Sequence, residues 1–151
     1  MKQVSFLPLL ILLALPLLAQ ERPLNTGLSN DEQYSFIGMT LEELIQRFGP
    51  PRTVTAARGN EIWQDDVVFH YTGVDFYIFR DRVWQVSFDS THGISNRDTK
   101  WSVLQTLGSL AEDRGDHALM PITGRNWPLM LRVNFNNAWQ VTSIFLYRTD
   151  F

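Results

Sequence analysis

The most regular pattern of apolar and polar positions lies between Phe36 and Pro51. Leu41, Leu44, Ile45 and Phe48 recur at i, i+3, i+4 and i+7, the stripe of a short amphipathic helix. Thr40, with Glu43 three residues on, makes a capping box at its start. Gly49 supplies the C-cap and Pro50-Pro51 forbids continuation. Glu43 and Arg47 add an i,i+4 pair on the solvated face.

Beyond this helix the period changes to two. Strands are expected at 61–64, 67–71, 74–79 and 83–88, the last two joined by a two-residue turn at Arg80-Asp81. That turn sets Tyr77 opposite Trp84. It places Tyr77, Phe79, Trp84, Val86 and Phe88 together on the better core face. A second helix is expected over 98–107, capped by Ser95 or Asn96 and ended by Gly108, with Trp101, Leu104 and Leu107 as its stripe. Strands follow at 117–122, 127–135 and 138–148. In the last of these, Trp139, Val141, Phe145 and Tyr147 share one side by strict alternation, leaving Ile144 and Leu146 on the other. Both sheet faces are therefore substantially apolar.

Two stretches echo one another. Trp84-Gln85-Val86-Ser87-Phe88 is followed later by Trp139-Gln140-Val141-Thr142-Ser143, and Gly38-Met39-Thr40 by Gly93-Ile94-Ser95. Such self-similarity predicts one supersecondary unit used twice. The expected fold class is α+β: two tandem helix-plus-antiparallel-sheet units at 36–90 and 91–151, after a flexible, turn-rich lead-in at 20–35.

Composition narrows the function. At 151 residues and 44% hydrophobic, the chain can form a sizeable core without help. It has no cysteine, which removes disulfides, thiolate nucleophiles and sulfur-ligated metals. A net charge of -3 argues against nucleic-acid binding through a broad basic face. Residues 1–19 read as a cleaved signal peptide: Lys2, an apolar run from Val4 to Leu18, then Ala19 before Gln20. The protein is expected in the periplasm or outside the cell. Leu17-Leu18-Ala19-Gln20 looks like a bacterial lipoprotein signal with glutamine at the cysteine position, so no covalent lipid anchor is expected.

Three stretches, Phe36 to Pro51, Trp63 with Val67 to Tyr71, and Val83 to Phe88, resemble the SmpA/OmlA (BamE-like) outer-membrane assembly lipoprotein family. The resemblance rests on Gly38-Met39-Thr40 at the helix start and Gly49-Pro50-Pro51 at its end. The two-unit arrangement is similar to the β-lactamase inhibitor protein fold. Together these imply a helix-plus-sheet unit in tandem and a role in protein binding at the cell envelope. Gln20 departs from the lipoprotein pattern, and the absence of cysteine departs from the inhibitor family's two disulfides.

No motif points to catalysis, a cofactor or a metal. His70, His92 and His117 lie at no ligand spacing, and Ser87 and Ser102 lack a nucleophile elbow. Asp65-Asp66 and Asp113 with Asp116 fit turns. Trp84, Trp101 and Trp139 fall on stripes read as core. Trp63 and Trp127, beside turns, are the candidate protein-binding anchors, with Tyr71, Phe76 and Arg125 as neighbours. The expected function is non-enzymatic binding of a protein partner. The alternatives are an inhibitor of a secreted or periplasmic enzyme, and a small hydrolase with an inter-unit cleft where His70 or His117 meets a carboxylate.

Overall fold

Capping boxes open all three α-helices described in the computed structural model, which covers residue 24, residues 27–57 and residues 66–150. The signal segment at 1–19, residues 20–23, 25 and 26 of the lead-in, and the strand expected at 61–64 with its Trp63 lie outside the described residues. Ser29 caps α1 (Asn30–Tyr34), Thr40 caps α2 (Leu41–Phe48) and Thr99 caps α3 (Lys100–Leu107). In each, the N-cap oxygen accepts the N3 amide and the N3 side chain returns a bond to the N-cap amide, so two orphan donors are met at once. α1 falls inside the stretch read as lead-in. α3 begins later than expected because Asp98 turns back: its carboxylate accepts the Ser95 amide at 2.6 Å, which uses up the earlier cap position.

The strands are β1 (Thr53–Ala57), β2 (Asp66–Tyr71), β3 (Val74–Phe79), β4 (Arg82–Phe88), β5 (Ser90–Thr91), β6 (Ile94–Ser95), β7 (Glu112–Asp113), β8 (His117–Ile122), β9 (Leu129–Phe135) and β10 (Val141–Arg148). Eight of them form one antiparallel sheet in the order β1-β2-β3-β4-β10-β9-β8-β7; β5 and β6 pair separately. This corrects the expectation of two tandem helix-plus-sheet units. The two Trp-Gln-Val stretches do not close two sheets. The strands they lead into pair with each other, Val86 with Leu146 and Phe88 with Ile144, which makes the sheet continuous.

A second correction concerns parity. Tyr77 pairs with Gln85 while Ile78 pairs with Val83, so Trp84 is the extra residue of a β-bulge. Strict alternation breaks there, and Val83 joins Val86 and Phe88 on the core side with Phe76 and Ile78. The same event occurs at Thr142: Val141 pairs with Phe135 and Ser143 with Asn134, so Val141, Ile144 and Leu146 all turn inward. Trp84 consequently leaves the core, and Trp101, on α3, and Trp139, in the turn before β10, lie outside it as well. Trp101 is 79% exposed, and Trp139 is half exposed in a turn with φ 58.

All three helices pack on one side of the sheet. Phe36, Leu44, Phe76, Val86 and Leu146 centre the cluster under α2, and Val103, Leu131, Val133 and Ile144 centre the one under α3. Each fully buried apolar side chain contributes about 1.5–3 kcal/mol. Gly38 to Leu41 stitches α2 onto the β3–β4 hairpin: the Gly38 amide donates to Val83 O at 2.8 Å, the Val83 amide to Met39 O at 2.9 Å, and the Leu41 amide to Asp81 O at 3.2 Å.

Candidate functional site

The opposite face of the sheet carries no described helix. Register fixes what it presents. Tyr77, Gln85, Tyr147 and Met130 form one row across β3, β4, β10 and β9, and Asp75, Ser87, Phe145 and Arg132 form the next. All eight are half-buried. The small Ser87 leaves β4 low in the middle, so Tyr77 and Phe145 meet above it edge to face, centroids 6.1 Å apart. Trp84 stands on the same face because its bulge turns it out. Its indole donates to Asp66 Oδ1 at 3.0 Å. Burial, helped by Asp75 and Asp66 nearby, raises the Tyr77 pKa, so the phenol stays protonated and available as a donor.

A polar relay lies beside this aromatic patch. His70 Nδ1 is 2.9 Å from Asp75 Oδ1, and His70 Nε2 is 2.7 Å from Thr55 Oγ1. With the ring neutral and its proton on Nδ1, the carboxylate accepts from Nδ1 and the threonine hydroxyl donates to Nε2. That is the hydrogen-bond order of a general-base arrangement. The three groups come from β1, β2 and β3: His70 pairs directly with Asp75, and Thr55, paired with Val68, reaches the ring diagonally from two residues beyond Thr53. His117 also has a carboxylate, Asp116 Oδ1 at 2.7 Å, but on its own sequence neighbour.

The residues singled out in the sequence go to different places. Tyr71 and Phe76 are core: Phe76 is fully buried, and the Tyr71 hydroxyl donates to Gly49 O at 2.8 Å, tying β2 to the end of α2. Trp63 lies outside the described residues. Trp127 and Arg125 do come together, on the loop before β9 and on the helix side of the sheet. Trp127 is 36% exposed and holds the Arg148 guanidinium 3.8 Å above its ring. Arg125 pairs with Asp31 and sits 4.6 Å over the Tyr34 ring. An open cleft of about 570 Å³ lined by Ile37, Met39, Glu43, Arg47 and Trp127 runs beside them. Sequence reading missed Tyr77, Phe145 and Tyr147. Their signal was the apolar second face of the strands, and two bulges invisible to alternation decided which face was which.

The described residues thus form one continuous eight-stranded antiparallel sheet and the separate β5–β6 pair, with helices on one face of the large sheet and an aromatic patch on the other. No family model and no curated protein matches the sequence. Among solved structures, the chain is similar to an extracellular protein containing an SCP domain from Bacillus anthracis strain Ames, at 11% identity and a TM-score of 0.49 over 87% of this chain and 49% of that one. It is also similar to a DUF4309 family protein (YjgB) from Bacillus subtilis strain 168, at 16% identity and a TM-score of 0.44 over 73% of this chain and 78% of that one. The chain spans about half the length of the SCP-domain protein.

The continuous eight-stranded sheet, in a sequence that no family model matches, overturns the resemblance to the SmpA/OmlA (BamE-like) lipoproteins and to the β-lactamase inhibitor protein fold. The residues that carried it have local explanations. Thr40 and Glu43 are a capping box, Gly49 is a C-cap at φ 76, and Gly38 occupies φ 90 where the chain turns under Trp127. Helix ends of this kind are required by any fold that starts and stops a helix there.

Proposed function

We propose that the chain is an exported, non-enzymatic protein-binding module that recognises a protein partner, in the bacterial envelope or outside the cell, through the helix-free face of its sheet. One observation carries the reading: half-buried Tyr77 of β3 and Phe145 of β10 meet edge to face across β4, with Tyr147 in the same row as Tyr77 on the other side of Gln85. Aromatic side chains fixed on strands and ringed by polar groups such as Asp75 and Arg132 are what protein interfaces use as anchors. The apolar segment before Gln20 supports export.

The test is a photo-crosslinking residue at Phe145, compared with one at exposed Gln105 on α3, in cells expressing the full chain. An adduct specific to position 145 and lost on Tyr147→Arg supports the reading. Equal adducts at both positions, or none at 145, remove it. Fractionation of the same cells tests export.

The Thr55–His70–Asp75 relay favours a second reading, ester hydrolysis with Thr55 as nucleophile. Its test is turnover of a chromogenic ester by wild type and by Thr55→Val. Equal rates, or none in wild type, dismiss it.

A further inference from the structure

The two edges of the sheet are built differently. At one end, β7 is two residues long and both are acidic, with Asp113 Oδ1 held 2.7 Å from Lys100 Nζ. Short length and like charge are the usual ways a strand edge is closed to further pairing. At the other end, β1 reads Thr-Val-Thr-Ala-Ala, with no charge and no proline. It pairs with β2 in unbroken register from Thr53 to Ala57, and among the described residues β2 is its only strand neighbour.

β1 also leaves apolar surface uncovered on the helix side. Val54 and Ala56 lie on that side, opposite Phe69 and Val67. Val54 is 52% exposed and Val67 44%. A strand that completed this edge would need small apolar residues on the helix side beside Val54, small or hydroxyl residues on the other side beside Thr53 and Thr55, and no charge. β1 itself has that alternation.

We infer that the β1 edge is a self-association surface, on which β1 of a second copy adds antiparallel about a two-fold axis at Thr55 and makes one sheet of the two. In that register Val54 of each copy lies against Ala56 of the other and Thr53 against Ala57. This stands on the edge and not on the aromatic face, so it holds or fails independently of the proposed binding role.

The experiment is sedimentation equilibrium of the mature chain across a concentration series, with Val54→Lys as the edge variant. The expected result is a mass that rises from one chain to two in wild type and stays at one in the variant. Because the chain has no cysteine, Thr55→Cys gives a second readout: the two thiols face each other in the pair, so mild oxidation yields a covalent dimer, whereas Gln105→Cys on α3 does not. A single-chain mass to the solubility limit, an undiminished dimer in Val54→Lys, or equal crosslinking at 55 and 105 overturns the inference.

Discussion

A Cβ placed on Gly38 would lie 2.9 Å from Nε1 of Trp127. Gly38 also has φ 90, a region that side chains rarely adopt. The glycine therefore holds two elements in register: the segment that leads into α2, and the loop that leads into β9. Gly38→Ala should lower stability by about 2 kcal/mol or more, since backbone strain and contact strain add. Denaturant unfolding measures the loss. Trp127 fluorescence should shift with it, and an unshifted, equally stable variant would show that the contact relaxes without cost.

Phe76 and Trp101 should separate sharply on truncation. Phe76 is fully buried among Phe36, Phe48 and Tyr71, so Phe76→Ala should cost about 3–5 kcal/mol. Trp101, at 79% exposure on α3, should change stability by no more than about 0.5 kcal/mol on Trp101→Ala. Comparable losses in melting experiments would place Trp101 in the core after all.

The contrast shows what alternation and helical spacing reveal and where they stop. The α2 stripe was legible because local signals agreed: Thr40, Glu43, Leu44, Phe48 and Gly49 all specify one helix. The strands at 74–79 and 83–88 and their two-residue turn were legible too, and Arg80 and Asp81 take φ 47 and 66 as a primed turn requires. The face was not legible. One extra residue at Trp84 and another at Thr142 reverse the sense of every position beyond them, and nothing in an apolar-rich strand marks where the slip falls. Tertiary pairing was equally hidden. Joining β4 to β10 takes a contact between residues far apart in sequence, so the echo of Trp84-Gln85-Val86 in Trp139-Gln140-Val141 read as two sheets. The aromatic patch depended on both points, and it emerged only from the register.

The Tyr71 hydroxyl donates to Gly49 O, a carbonyl at the end of α2. Tyr71→Phe keeps the ring packed against Phe48 and Phe76 and removes one bond. It should cost about 1 kcal/mol, the net worth of such a hydrogen bond plus an orphaned acceptor. Equilibrium unfolding against wild type checks this. A loss as large as that of Phe76→Ala would mean that the ring itself moves.

His92 should make the fold acid-sensitive in a defined window. The Thr91 hydroxyl donates its single proton to Gln33 Oε1, so toward His92 it acts as an acceptor from Nδ1, at 2.8 Å. That leaves Nε2 of the neutral ring to accept from the Tyr34 hydroxyl. Protonation puts a second proton where Tyr34 already donates, in a site that is partly desolvated. Burial accordingly lowers the His92 pKa to about 4 from an ordinary 6.5. The unfolded chain then binds this proton first as pH falls. Stability contributed by the neutral ring is full above pH 6.5 and declines from there to about 4, after which this group adds no further slope. Carboxylates held low by caps and ion pairs, such as Glu43 and Asp113, titrate at the acid end. His92→Asn suits the positive φ of 54 at this position and cannot titrate. Urea midpoints measured from pH 7.5 downward should fall more steeply in wild type than in His92→Asn between pH 6.5 and 4, by less than one proton's worth of slope. Parallel curves for the two proteins would mean that α1 and the β5–β6 hairpin part before His92 takes up its proton.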